Sequence, residues 1–172
     1  MAQERTGVVT MKGNPMTLVG PELKAGDPAP DFSVLDQGLQ PVTLASSKGK
    51  VRLFSVVPSL DTPVCSVQTK RFGDELAKLP DNVEVLTVSA DLPFAQKRWC
   101  AAESVNASTL SDHRDVSFGE AYGVLIKELR ILTRAIFVVD AADKVSYVEI
   151  VPEIATEPDY DAALKAVQGA VG

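Results

Sequence analysis

Val51-Arg52-Leu53-Phe54-Ser55-Val56-Val57 is an apolar run interrupted only by Arg52 and Ser55. A run this continuous leaves no polar side for water, so it describes a strand buried on both faces. Both faces then need cover, which restricts the chain to layered architectures of sheet and helix.

The neighbouring segments supply that cover. Val64–Leu79 has helical spacing (Val67, Phe72, Leu76, Leu79) and stops at Pro80-Asp81-Asn82; Val83–Ala90 is a second apolar strand, and a helix follows from about Pro93 to Glu103. Thr109-Leu110 is a short extended piece, Val116–Tyr122 a short helix, and Gly123–Leu132 has no clear period. Ala135–Asp140 and Lys144–Val151 flank the turn Ala141-Ala142-Asp143 as a hairpin, and Thr156-Glu157-Pro158-Asp159 reads as a capping box for a last helix ending at Gly169. At the front, Val8–Met11 and Met16–Val19 surround Gly13-Asn14-Pro15 as a further hairpin, and two short strands, Asp31–Leu35 and Pro41–Leu44, flank the Gln37-Gly38 turn. The order predicts an α/β, thioredoxin-like fold: a central mixed β-sheet flanked by helices, with an added N-terminal β-hairpin. A flavodoxin-like fold also alternates, but the hairpin at 135–151 fits it poorly. At 172 residues the chain reads as a single domain, 1–172.

Composition narrows the function. A net charge of -6 without a basic cluster argues against nucleic acid as a partner. One histidine and two cysteines cannot build the usual histidine-rich or four-cysteine zinc sites, and no glycine-rich phosphate loop occurs, so no metal or cofactor is expected. The N-terminal Met1–Gly7 segment lacks the apolar run of a signal peptide, and no stretch approaches the ~20 apolar residues of a membrane span. The expected location is cytoplasmic, where thiols are kept reduced. Cys65 and Cys100 are then either small buried hydrophobes or chemistry.

Position favours chemistry for one of them. Pro58-Ser59-Leu60-Asp61-Thr62-Pro63-Val64-Cys65 links the buried strand to the following helix. Proline suits the first turn, Thr62 is placed to cap it, and Cys65 falls among unpaired N–H groups at the positive end of the helix dipole. That setting favours a thiolate. Arg134 precedes a buried strand, with Arg130 as its rival, and His113 lies in a polar run, Ser111–Asp115, that reads as surface loop.

The types in this loop carry a resemblance. Pro58, Thr62 and Cys65 match the Pro-x-x-x-Thr-x-x-Cys motif of peroxiredoxins, and the fuller string resembles their thiol peroxidase subfamily, of the atypical two-cysteine type. Ser89–Gln96 with Trp99-Cys100, Leu132–Ala135 leading into Phe137–Asp140, and Thr156–Tyr160 are similar to further signatures of that subfamily, so the likeness spans roughly residues 7 to 168. Lys127–Leu132 departs from it, lacking the glycines common there.

The resemblance implies a thioredoxin-dependent peroxidase in antioxidant defence. Cys65 is then peroxidatic and Cys100 resolving, with Pro58, Thr62 and Arg134 completing the site. It also implies hydrogen peroxide and alkyl hydroperoxides as substrates, an internal Cys65–Cys100 disulfide, thioredoxin as reductant and a homodimer. Acidity alone is a weak lever in such chemistry. A thiol of pKa ~8.5 is about 3% ionised at neutral pH, and a pKa of ~6 would raise that about thirtyfold. Lost nucleophilicity returns roughly tenfold of the gain. Most of the acceleration must come from donors that orient the peroxide and stabilise the departing oxygen. Two rivals remain: a disulfide oxidoreductase on the same fold, for which the Cys-x-x-Cys pair is missing, and a binding module whose cysteines only pack.

Overall fold

In the computed structural model, which describes residues 3–171, the buried run forms β5 (Val51–Val56), with all six residues buried. Met1 and Ala2 of the N-terminal segment, and Gly172, lie outside the described residues. Strand β5 pairs in parallel with β6 (Val83–Ser89) and antiparallel with β10 (Ala135–Val139). Strand β7 (Ser108–Ser111) continues the parallel side, β3 (Ser33–Leu35) and β4 (Pro41–Thr43) close that edge, and β11 (Val145–Ile150) closes the other. The order of this seven-stranded mixed sheet is β11-β10-β5-β6-β7-β3-β4.

Alternation along the strands divides the core in two. Leu53, Val85, Ile136 and Val138 face one side and pack on Phe72 of α1 (Pro63–Leu76) and on Ala163 and Val167 of α4 (Tyr160–Val171). Helix α2 (Pro93–Ala102) lies over β7 beside them. Phe54, Val56, Leu86, Val88 and Phe137 face the other side, against Phe118 of the short α3 (Ser117–Ala121) and Tyr122, whose rings stack at 4.2 Å. Each buried side chain of this size contributes about 1.5–3 kcal/mol.

The N-terminal hairpin is present as β1 (Glu4–Met11) and β2 (Asn14–Val19), but it is more than an appendage. Segment 123–132, without a clear period in sequence, supplies β8 (Leu125–Ile126) and β9 (Ile131–Leu132), which extend it to a four-stranded sheet, β1-β2-β8-β9. These pieces are too short to show a period; β8 is decided by its pairing with the sequence-distant β2, and β9 by its pairing with β8. Arg130 turns their connection with φ 56, a left-handed conformation where glycine would be the easier residue.

Three local expectations are corrected. Helix α4 begins at Tyr160, and its capping carboxylate is Asp159, which accepts the Ala162 N–H at 3.0 Å; the Thr156 hydroxyl instead donates to the Glu153 carbonyl at 2.7 Å. Gly169 lacks the positive φ of a helix-stopping glycine, so α4 continues to Val171. On α1 the buried positions are Cys65, Gln68, Thr69 and Phe72, while Val67 is 51% exposed. Polar groups with buried partners displaced the apolar residue that periodicity alone selects.

The two interruptions of the β5 run also find partners. Arg52 donates to the carbonyls of Lys50 (2.7 Å) and Asp140 (2.8 Å) and pairs with the Asp143 carboxylate. Ser55 accepts from Gln68 on α1. Among the described residues, no helix is long and apolar enough to cross a membrane, and no cluster of three or more His, Cys, Asp or Glu could hold a metal.

Candidate active site

The segment after β5 leads to Thr62, in extended conformation, and then directly into α1 with Pro63 in its first turn. Ser66 N–H donates to the Thr62 carbonyl at 3.0 Å, which starts the helical ladder. The first-turn N–H groups of Val64 and Cys65 precede that ladder and have no carbonyl within the helix to receive them. Cys65 is fully buried.

A guanidinium faces its sulfur. Arg134, between β9 and β10, places Nη2 3.3 Å from Cys65 Sγ, Nη1 2.8 Å from Gln68 Oε1 and Nε 2.8 Å from the Ile154 carbonyl. A buried cation is tolerated only when its donors are matched. Here each of the three nitrogens has an acceptor, and one of them is the sulfur. Gln68 is itself fixed, its Nε2 donating to Ser55 Oγ at 2.8 Å. The chain of contacts from Ser55 through Gln68 and Arg134 to Cys65 aims a permanent positive charge at the sulfur.

Thr62 departs from the capping role expected for it. Its hydroxyl donates to the Ser59 carbonyl at 2.9 Å, and no side-chain cap closes the first turn. The proton is thus directed away from the helix, and the oxygen keeps lone pairs for accepting. Thr62 lines a cavity of about 320 Å³ with Pro58, Val64, Arg134, Met11 and Ile154. Four of the five expected site residues therefore meet at one place: Pro58, Thr62 and Arg134 on the cavity, Cys65 behind them. The tip of the N-terminal hairpin forms part of the wall, tied down by Glu153, whose carboxylate accepts from Gly13 N–H (2.9 Å) and Thr10 Oγ1 (3.2 Å). A larger cleft of about 810 Å³ between β1 and β11 contains no cysteine.

The fifth residue, Cys100, lies near the end of α2, buried in one apolar cluster with Cys65, Val57, Leu60 and Trp99. Both thiols are free. Burial pushes the Cys100 thiol above its usual range. His113 is exposed in the loop before α3.

Two residues that hold the site's side chains and loop in place, Gln68 and Asp91, escaped the sequence reading. Gln68 lies three positions after Cys65, on the same helix face; a polar residue there is the one available signal. Asp91 sits in a quoted signature, but its task appears only in the fold. Its carboxylate accepts from Ser59 Oγ (2.7 Å), Leu60 N–H (2.9 Å) and Ser89 Oγ (2.8 Å), joining the loop before Cys65 to the turn that begins the Cys100 helix.

A thioredoxin-like sheet carrying a buried cysteine at a helix start defines a class, and comparison places the chain in it: residues 24–164 match the Redoxin family. The chain is also similar to a peroxiredoxin-like protein from Aquifex aeolicus, with a TM-score of 0.88 and 45% identity over 98% of each chain. Among curated proteins it is 62% identical to the thiol peroxidase of Halalkalibacterium halodurans and 56% identical to that of Bacillus subtilis. Each alignment covers 95% of this chain and 98% of the relative. The chain belongs to the Redoxin family and, within it, to the thiol peroxidases.

Proposed function

We propose that this thiol peroxidase reduces peroxides through Cys65 as the attacking thiolate and Cys100 as the resolving thiol. The observation that carries the reading is the Arg134 guanidinium held 3.3 Å from the Cys65 sulfur by two further hydrogen bonds. The Cys65 sulfur attacks the nearer peroxide oxygen. An S–O bond forms, the O–O bond breaks, and the departing oxygen takes up a proton to leave as water or an alcohol. Cys65 is left as a sulfenic acid. The transition state spreads negative charge from sulfur to the departing oxygen, so donors already in place lower it more than they lower the ground state. Arg134 and the first-turn N–H groups are such donors, and the Thr62 oxygen can accept the peroxide proton and so orient the O–O bond. Pro58 closes the cavity wall and supplies no N–H to compete.

Cys100 then attacks the sulfenic sulfur, giving a Cys65–Cys100 disulfide and water, and a thioredoxin dithiol reopens it by exchange. Because both cysteines are buried and lie on different helices, local unwinding around Cys65, Cys100 or both precedes bonding. The largely apolar cavity suits alkyl hydroperoxides as well as hydrogen peroxide. A homodimer and a cytoplasmic location complete the reading, the latter in keeping with a cycle that needs a reducing compartment.

Intact mass under reducing and peroxide-treated conditions tests it. The expected result is loss of two hydrogens in the wild type, a single added oxygen on Cys65 in Cys100→Ser, and neither change in Cys65→Ser. Thioredoxin-supported peroxide consumption that survives Cys65→Ser would overturn the assignment.

A further inference from the structure

Cys100 has a task that its surroundings oppose. It attacks as a thiolate, yet it is only 8% exposed among Val57, Leu60 and Trp99. One polar side chain reaches it from a distant part of the sequence. The Gln37 amide nitrogen donates to Cys100 Sγ at 3.5 Å and to Thr109 Oγ1 at 2.8 Å, so its two hydrogens serve two acceptors. Having accepted from Gln37, the Thr109 oxygen can turn its own proton toward the sulfur. Gln37, the Ala107 N–H and the Thr109 hydroxyl all work against burial by favouring the charged sulfur.

The amide is held in place. Gln37 belongs to the turn between β3 and β4, where Asp36 Oδ1 accepts the N–H groups of Gly38 (2.8 Å) and Gln40 (3.0 Å). Two backbone bonds cross the same turn, from Asp36 N–H to the Gln40 carbonyl (3.0 Å) and from Leu39 N–H to the Asp36 carbonyl (3.1 Å). Strand β3 pairs with β7, the strand that carries Thr109. Little entropy is left to lose in presenting the amide. Glutamine is also not a residue that turn geometry itself demands.

We propose that Gln37 is a catalytic residue of the resolving step, its amide acting with Thr109 to stabilise the Cys100 thiolate that attacks the Cys65 sulfenic acid. Cys100 releases its proton to water, and its sulfur attacks the sulfenic sulfur. The S–S bond forms, the S–O bond breaks, and the hydroxide that leaves takes up a proton. The sulfenic sulfur is reduced and the Cys100 sulfur oxidised in equal measure. The inference rests on the reading of Cys100 as the resolving thiol, and the two can fail separately.

In a Cys65→Ser background, the rate of Cys100 alkylation by iodoacetamide against pH reads ionisation of the remaining thiol. Gln37→Leu keeps the bulk and removes both donors; it should move the profile to higher pH and slow alkylation at pH 7 about fivefold, the weight of one hydrogen bond. Thr109→Val, a second variant, should move it the same way by less. With Cys65 present, stopped-flow fluorescence of Trp99, the sole tryptophan, should show disulfide closure slowed about fivefold relative to sulfenate formation at pH 7. The defect should disappear where Cys100 is ionised in both proteins. An unchanged alkylation profile in folded Gln37→Leu, or closure slowed equally at every pH, would overturn the role of Gln37. Wild-type protein that loses no hydrogens on peroxide treatment would overturn the resolving role of Cys100, and the alkylation profile would still report on Gln37 by itself.

Discussion

The two cysteines are buried in the same apolar cluster, yet they meet opposite chemistry. Cys65 opens a helix and faces a guanidinium whose other nitrogens are committed to Gln68 and Ile154. Cys100 nears the end of a helix and meets only neutral donors, and burial pushes its thiol up. The difference suits the roles proposed for them. An attacking sulfur meets a dilute substrate, so its donors must be in place beforehand. A resolving sulfur meets a partner tethered to the same chain, whose high effective concentration relaxes the demand for a standing charge. Asp91 is the joint between the two regions.

The contrast can be broken at its strongest point first. Arg134→Met removes the charge and should lower the second-order rate of Cys65 with peroxide by about 10²–10³-fold, the range seen when one preorganised charge-stabilising donor is lost. Stopped-flow oxidation measures it, and a loss below tenfold would mean the first-turn N–H groups carry the site without the guanidinium. Asp91→Ala leaves the Ser59, Leu60 and Ser89 donors without their shared acceptor and should lower stability by about 2 kcal/mol, seen as a lower urea midpoint, with faster exchange of the Leu60 amide. Gln68→Leu keeps the Arg134 charge but releases its orientation. The peroxide rate should fall about tenfold, a loss near one charged hydrogen bond, while the urea midpoint moves less than for Asp91→Ala.

The smallest effect concerns pH. Folded Cys100 resists an ionisation that the unfolded chain accepts in the ordinary thiol range, so its folded pKa is the higher. Its stabilising contribution is therefore full below the unfolded value and is lost as pH rises through the folded one. Between pH 7.5 and 10 the urea midpoint of wild type should fall further than that of Cys100→Ser. Equal falls would place Cys100 in a less desolvated setting than the cluster around Trp99 implies.

Much of this was legible beforehand because it is local. The uninterrupted burial of β5 follows from its composition, the opening of α1 from Thr62-Pro63, and the cysteine motif from spacing within eight residues. The hairpin of β10 and β11 was readable from its turn. What escaped depends on partners far along the chain. Val67 reads as a core residue from its apolar spacing, yet it is exposed, and Gln68 is buried in its stead by bonds to Ser55 and Arg134, 13 and 66 residues away. Thr62 was readable as a helix-start residue, but not that its proton goes to Ser59. Strands β8 and β9 have two residues each and exist through pairing with β2 and with each other.

By itself, then, the sequence determined the layered fold, the helix start that carries Cys65, and the chemical types available to the site, since propensity, periodicity and capping act within a few residues. Only the tertiary structure decided which groups touch the sulfurs. A hydrogen bond needs two groups within about 3 Å, somewhat more where sulfur accepts, and Arg134 at Cys65, Asp91 at Ser59 and Gln37 at Cys100 are brought into that range by the packing of sheet and helices, across separations that local preferences do not reach.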